Sequence, residues 1–515
     1  MKNLYTITIL TITLLFVSCD KDIVERNELY PQLNPINHDE LAGTWMPILL
    51  SAPDEFSIDA PIASNSPAFT REINEIKSYQ ANLTSDQQRI INYWSVGGVL
   101  RWNEIMQTLV ARHNRPPYQN EDGTYPTPSP TNPFANPQFP FSNPPFAARA
   151  YAYVSAAQYD AMVATWHYKK LYNRAAPFAT DAGAGINVMV PKSPLPSYPS
   201  EDGALAGVTV EILKLLFPTE IAYIQEKAEE QKLYRILCGA NVRSDVEAGV
   251  ALGRKIATKY ITRASTDGAG AAIGNQALWT QLETNAIANG EIPWKSLDIP
   301  ARPPMLPLFG NVKSFLMTPA DVVANRPLPP PSTNSQEFLD ELNEVKNYSE
   351  NATREHMQIV TFWADGVGTY TPPGHWNHIA GESFVNERYS EVRWARNMAL
   401  LNLAMMDAAI SCWEAKYFYF NPRPTQMNPS IKTLTGVPNF PAYVSGHSTF
   451  SGAAATVLSH FIPSKAQEYQ AMANEASMSR LYGAIHYRSD CEAGLILGKN
   501  VGNFAVTRAT IDGGE

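Results

Sequence analysis

Long apolar runs, basic blocks and cysteine pairs are scarce in this sequence, and each scarcity removes a class of protein. Beyond the first twenty residues no stretch holds about 18 uninterrupted apolar residues, so the body of the chain is expected to be soluble. The net charge is −9 and no long basic block occurs, which argues against nucleic acid as the main partner. After Cys19 only Cys238, Cys412 and Cys491 remain, an odd and sparse set that makes no disulfide framework. Strand-like alternation of apolar and polar residues is hardly visible, which leaves an all-α reading. An apolar fraction of 44% over 515 residues gives room for two or three domains with large cores.

The apolar run that does occur stands at the start. Lys2 precedes a Thr-rich apolar stretch over residues 4–17, too short for a comfortable membrane span and followed by a small residue before cysteine. It reads as a signal peptide, residues 1–19. The sequence Phe16-Val17-Ser18-Cys19 resembles a bacterial lipobox. That resemblance implies lipidation at Cys19 and an exported, membrane-tethered protein; the plainer alternative is a secretory signal with an incidental cysteine. Residues 20–79 are weakly patterned and read as a tether and an arm.

Helical spacing of Ala, Leu and Met begins near residue 84 and fills most of residues 80–270. It is interrupted at 116–145, where ten prolines predict an irregular loop. Residues 271–344 are broken by Pro and Gly and read as a connection; helical patterns return at 335–362, 383–416, 447–461, 465–483 and 486–505, and residues 345–515 read as the second bundle. The two helical halves repeat. RSDVEAGVALGRKIATKYITRASTDGAG at 243–270 matches RSDCEAGLILGKNVGNFAVTRATIDGGE at 488–515 at 13 of 28 positions without a gap. An offset of 245 also carries Ser200 onto Ser445 and Arg235 onto Arg480; an offset of 247 carries Arg149, Asp160, Trp166 and Lys169 onto Arg396, Asp407, Trp413 and Lys416. Constant offsets over this length predict two homologous helical bundles in tandem.

Three clusters in the second half carry chemistry. WEAKYFYFNPRP supplies Lys416 and Arg423, FPAYVSGHSTF supplies Ser445, Gly446 and His447, and SRLYGAIHYRSD supplies Arg480, His486 and Asp490. Singly, each is an ordinary surface charge or a structural histidine. Together they bring three cations to what should be one pocket in an acidic protein, a composition suited to a tetrahedral oxyanion. Ser445-Gly446-His447 precedes a small-residue run and is expected at a helix N-terminus, where free N–H groups favour an anion. His486 and Asp490, four apart, are expected on one helix face, with the Asp fixing the tautomer so that the other ring nitrogen stays free. His447 is the second imidazole, placed to give or take a proton.

In order and spacing these clusters resemble the superfamily of type 2 phosphatidic-acid phosphatases, bacterial acid phosphatases and vanadium-dependent haloperoxidases. One departure is Val444, where the pattern usually has Pro. Trp413, Phe440-Pro441-Ala442-Tyr443 and FWADGVGTYTPPGHWN at 362–377 are similar to the vanadium chloroperoxidase branch. The resemblance implies a vanadate bound at His486 and held by Lys416, Arg423, Ser445, Gly446 and Arg480, with His447 as acid/base. Hydrogen peroxide and a halide would be the substrates, and Lys416 would help polarise the bound peroxide. Trp413, Phe440 and Asp365 would stand behind these residues, Asp365 paired with Arg480. With a phosphomonoester in the same cage, His486 would attack phosphorus and form a phosphohistidine while His447 protonates the leaving group. A non-catalytic glycan-binding surface lipoprotein would explain the tether and helices but not three ordered oxyanion clusters. His375-Trp376-Asn377-His378 has HxxH spacing without further ligands nearby and reads as a loop at the active-site mouth.

In the first half, Lys169, Ser200, Arg235 and Asp245 stand where Lys416, Ser445, Arg480 and Asp490 stand in the second. Ala176, Glu201, Asp202 and Asn241 replace Arg423, Gly446, His447 and His486. Two acids and no imidazole predict a supporting bundle that repels oxyanions.

Overall fold

The computed structural model describes residues 30–115, 141, 143–299 and 301–515. Cys19, the signal segment and most of the Pro-rich stretch at 116–145 lie outside the described residues. Among the described residues the regular structure is helical.

The first half folds as α1 (Pro67–Ala81), α2 (Ser85–Trp94), α3 (Gly98–His113), α4 (Pro144–Tyr172), α5 (Glu201–Leu216), α6 (Ile221–Leu237) and α7 (Arg243–Thr266). Two helices, α8 (Gln276–Ala288) and α9 (Pro319–Ala324), punctuate the connection. The second half runs α10 (Gln336–Glu350), α11 (Arg354–Phe362), α12 (Thr371–Glu387), α13 (Glu391–Tyr419), α14 (Pro424–Met427), α15 (Gly446–Phe461), α16 (Ala466–Tyr482) and α17 (Arg488–Ala509). Apart from α14, each helix of the second half has a counterpart in the first. α1 and α10, the leading pair, pack on α6 and α16.

Local sequence explains the boundaries. Ser66, Thr84, Ser200, Ser335, Thr353, Ser390 and Ser445 cap their helices through the side chain, each satisfying a backbone N–H that the helix leaves free. Segments expected to be continuous over 84–114 and 335–362 each divide in two, at Ser95–Gly97 and at Asn351–Thr353. Residues 375–378, read as a loop, instead lie in the first turns of α12, which can start at Thr371 because the prolines of its first turn lack the N–H that a helix start cannot use anyway.

α4 and α13, each 29 residues, are apolar nearly all round and buried nearly all round, so they form the centre of the molecule and pack on each other. The contacts around them are reciprocal: α3 touches α13, and α12 touches α4. Where α3 meets α12, a buried amide chain crosses between the halves. Asn103 Nδ2 donates to Asn377 Oδ1 (2.7 Å), Asn377 Nδ2 to Asn402 Oδ1 (2.7 Å), and Asn402 Nδ2 to Ser155 Oγ (3.0 Å). Other repeat pairs do matching work. Asp160 accepts from the backbone N–H groups of Ile48, Leu49 and Leu50, and Asp407 from those of Phe315 and Leu316. Arg149 pairs with Asp267, and Arg396 with Asp512.

The described part of the arm, from residue 30, is packed across both halves. Ile36 N donates to Arg388 O, Asp39 pairs with Arg393, and Met46 N donates to Asp512 O. The connection lies on the second bundle, where Trp413 Nε1 donates to Met305 O (3.2 Å).

Candidate active site

Four elements deliver the expected residues to one place. The last turn of α13 carries Lys416, with Trp413 one turn earlier. α13 then stops at Phe420, in the left-handed region at φ 51°, and the chain turns to present Arg423 at the start of α14. Ser445 caps α15, which places Gly446 and His447 in its first turn. Arg480 is in the last turn of α16. Lys416, Arg423, Ser445, Arg480, His486 and Asp490 are all at most 2% exposed.

His486 is not on a helix face with Asp490, as its spacing predicted. α16 ends at Tyr482, Ala484 is left-handed (φ 57°), and α17 begins only at Arg488, so His486 sits in the turn between them. Asp490 is the third residue of α17 and caps it, accepting from Tyr487 N (3.0 Å). The same carboxylate oxygen lies 2.8 Å from His486 Nδ1. With Nδ1–H donating to Asp490, Nε2 is the unprotonated nitrogen, and it accepts from Arg423 Nη1 at 3.0 Å.

The three cations are held differently. Arg423 donates from Nε to Phe440 O (2.9 Å) and from Nη1 to Ile485 O (2.7 Å), while its Nη2 has no partner. Lys416 Nζ donates to the carbonyls of Pro441, Ala442 and Val444, which takes all three of its hydrogens. The Phe440 ring lies 4.9 Å from both Lys416 Nζ and Arg423 Cζ and closes the wall together with Trp413. Arg480 donates to Trp363 O (2.8 Å) and to Ser479 Oγ (2.9 Å).

The expected Asp365–Arg480 pair does not form. Asp365 turns its carboxylate to His375 Nδ1, at 3.0 and 3.2 Å, and lies 3.9 Å from His447 Nε2. Arg480 senses Asp365 only as a nearby charge.

Electrostatically the cradle is short of an anion. Burial lowers Arg423 and Arg480 to about 10 and Lys416 to about 7. Burial, then Arg423, Lys416 and Arg480, hold His486 well below the usual imidazole range. His447 is lowered by burial and by Arg480, and its Nε2 has no hydrogen-bond partner. Burial raises Asp490 to about 7 against the pull of Tyr487 N–H and the cations. An anion would return the cations to their ordinary range and occupy Arg423 Nη2. The residues therefore fit a tetrahedral oxyanion such as vanadate or phosphate.

A Cβ at Gly446 would meet only the Trp413 ring, at 3.7 Å, so glycine there keeps space open above the helix start. Above it lies a cavity of about 750 Å³ reaching His447, Arg480 and His486. Its outer wall includes Asn114 and Arg302, which the sequence offered no motif to find because they come from α3's end and the connection.

In the first half the same place is filled. Glu201 stands where Gly446 does, and its carboxylate lies 2.8 Å from Lys169 Nζ and 3.1 Å from Arg235 Nη2. Burial alone would raise Glu201, but Lys169 and Arg235 outweigh it and hold it at about 2. Asn241, in the His486 position, accepts from Arg235 Nε (2.7 Å), and Arg174 takes Asp245. The cavity there is about 100 Å³. The first cradle does more than repel an oxyanion; it contains one of its own.

The PAP2 superfamily model matches residues 397–509. A structure described as the first bacterial vanadium-dependent iodoperoxidase is 24% identical, with a TM-score of 0.53 over 74% of this chain and 94% of that one. An apo bacterial vanadium-dependent chloroperoxidase is 14% identical, with a TM-score of 0.49 over 70% of this chain and 93% of that one. Among curated proteins none matches. Residues 397–509, within the second bundle, thus match the PAP2 superfamily, in a chain whose all-α fold is similar to that of a vanadium haloperoxidase.

Proposed function

We propose that this chain is an enzyme that holds vanadate at His486 and oxidises halide with hydrogen peroxide, a vanadium-dependent haloperoxidase-like activity. The observation that carries the reading is His486 Nε2: neutral, aimed by Asp490, beside an unpartnered Arg423 Nη2 and open to a cavity. Arg423, Arg480, Ser445 and the Gly446 N–H would hold the oxygens, and Lys416 would add its charge from behind its three carbonyls. Lys169 reaching the Glu201 carboxylate in the first bundle supports a lysine at this position serving an oxyanion. Vanadate bound there would supply activation of peroxide toward a halide. His447 would accept and return the protons of that exchange. The aromatic wall of Trp413 and Phe440 supports this reading over a plain phosphate site.

The cavity volume favours a second reading. Peroxide and halide need little space, whereas about 750 Å³ accommodates the organic part of a phosphomonoester. In that case His486 Nε2 attacks phosphorus, the ester oxygen leaves with a proton from His447, and water then releases phosphate from the phosphohistidine.

The two readings separate in one experiment on the full chain. Protein loaded with orthovanadate is given peroxide and iodide, bromide or chloride while dye halogenation is followed; a vanadate-free sample is assayed with a phosphomonoester. We expect halogenation, lost in His486→Ala without loss of helicity. Ester turnover alone would overturn the haloperoxidase reading. The activity is expected in the membrane fraction of the producing bacterium, released to the soluble fraction by Cys19→Ser, because the proposed lipid anchor is at Cys19.

A further inference from the structure

His486 has an aspartate behind it, and so does the second imidazole. Asp365 lies with Oδ2 3.9 Å from His447 Nε2, an atom that has no hydrogen-bond partner. Its backbone is in the left-handed region, φ 45°, which is uncommon for a residue other than glycine, and this turn points the carboxylate inward. Both its oxygens are taken by a single donor, His375 Nδ1, at 3.0 and 3.2 Å. His375 is itself fixed. It is 5% exposed, stacks on Trp363 at 4.6 Å, and meets the edges of Phe362 at 4.9 Å and Tyr370 at 5.9 Å. Trp363 in turn accepts from Arg480 through its carbonyl.

We propose that His375 is a positioning residue for His447, acting through Asp365. A carboxylate without that donor would be drawn toward Arg480, whose charge it already feels. The His375 N–H holds it 3.9 Å from His447 Nε2, where it can receive His447 Nε2–H when that imidazole carries a proton. The charge on His447 is then met by Asp365 without cancelling Arg480, which the oxyanion needs. The HxxH spacing at 375–378 thus serves an Asp–His pair, while His378 lies beside Glu382 (3.4 Å).

The test uses two substitutions with opposite content. His375→Phe keeps an aromatic ring against Trp363 and removes the donor. His375→Asn places an amide N–H near the Nδ1 position and removes the ring. The first readout needs no cofactor: the ring-nitrogen resonances of His447 in the anion-free protein. We expect His375→Phe to shift them while those of His486 stay, and His375→Asn to return them toward wild type. The second readout rests on the proposed chemistry: kcat should fall about 10- to 100-fold in His375→Phe, with KM and vanadate affinity within about two-fold, and recover in His375→Asn. Unmoved His447 resonances in a folded His375→Phe protein would overturn the proposal. A wild-type protein without halogenation or ester turnover would instead overturn the functional reading, and the resonance test would still decide the role of His375.

Discussion

His486 sits among three cations and gains its usefulness by staying uncharged. Its folded pKa lies below the usual 6.5, from burial first and then Arg423, Lys416 and Arg480. As pH falls, the unfolded chain takes up the proton before the folded one. The stability His486 contributes is therefore present above about pH 6.5 and erodes below it. In the anion-free protein we expect the His486 ring signals to stay those of a neutral imidazole as pH falls through the ordinary imidazole range near about 6.5; titration there would contradict this placement. At this scale the sequence was informative about identity and less so about geometry. The spacing of Lys416, Arg423, Ser445, Arg480 and His486 was enough to expect one pocket. The three carbonyls on Lys416 were not legible, because they come from a turn 25 to 28 positions away that has no side-chain motif of its own. Nor was the capping role of Asp490, because i,i+4 spacing looks the same on a helix and across its start.

Among the elements, the pair α15 and α17 sets the cradle's precision. A Cβ on Gly498 would lie 2.1 Å from the backbone oxygen of Thr449, and one on Gly494 would lie 2.8 Å from that of Ser445. The first half repeats this: Gly249 meets Ser200 O at 2.3 Å and Gly253 meets Ala204 O at 2.2 Å. The EAG-xx-LG part of the repeated segment is therefore a packing signature, and only its Asp is shared with the site. Alanine at 498 would gain about 1 kcal/mol of helix propensity and lose about 1–3 kcal/mol to overpacking. Because the opposing atom is backbone, the clash should win. Gly498→Ala is expected to lower the melting temperature and displace Ser445–Gly446–His447. Gly446→Ala should melt like wild type, its Cβ making an ordinary contact with Trp413, yet bind orthovanadate or phosphate more weakly. Thermal melting beside an anion titration checks both. Sequence periodicity located these helices, but not their breaks at Ser95–Gly97 and Asn351–Thr353, where Gly97 at φ 122° and the Thr353 cap override the apolar pattern.

For the whole molecule, the cradle of the first bundle is filled and electrostatically closed by its own carboxylate. Glu201→Gln would leave Lys169 and Arg235 buried with one anion fewer, and breaking a buried pair in this way costs about 3–5 kcal/mol. The carboxylate is held at about 2 against an ordinary 4.5. Its contribution is therefore complete above about pH 4.5 and lost as pH falls toward 2. Urea unfolding should show wild type well above Glu201→Gln at pH 7, with the gap narrowing by about pH 3. An equal gap at both would remove Glu201 from this role. The tandem plan was legible from constant offsets alone, while the filling of the cradle was not. An acid near two cations reads as repulsion toward ligands until the coordinates show which space it occupies.

The reciprocal contacts of α3 with α13 and α12 with α4, closed by the Asn103–Asn377 bond between equivalent positions, are those of an isologous dimer written into one chain. A true two-fold assembly of identical subunits must carry every substitution twice. Here the two faces are encoded separately, so position 201 can hold glutamate while position 446 holds glycine. Covalent linkage has freed one half from symmetry, and that freedom lets a single fold fill one cradle with its own carboxylate and leave the other open to a cavity.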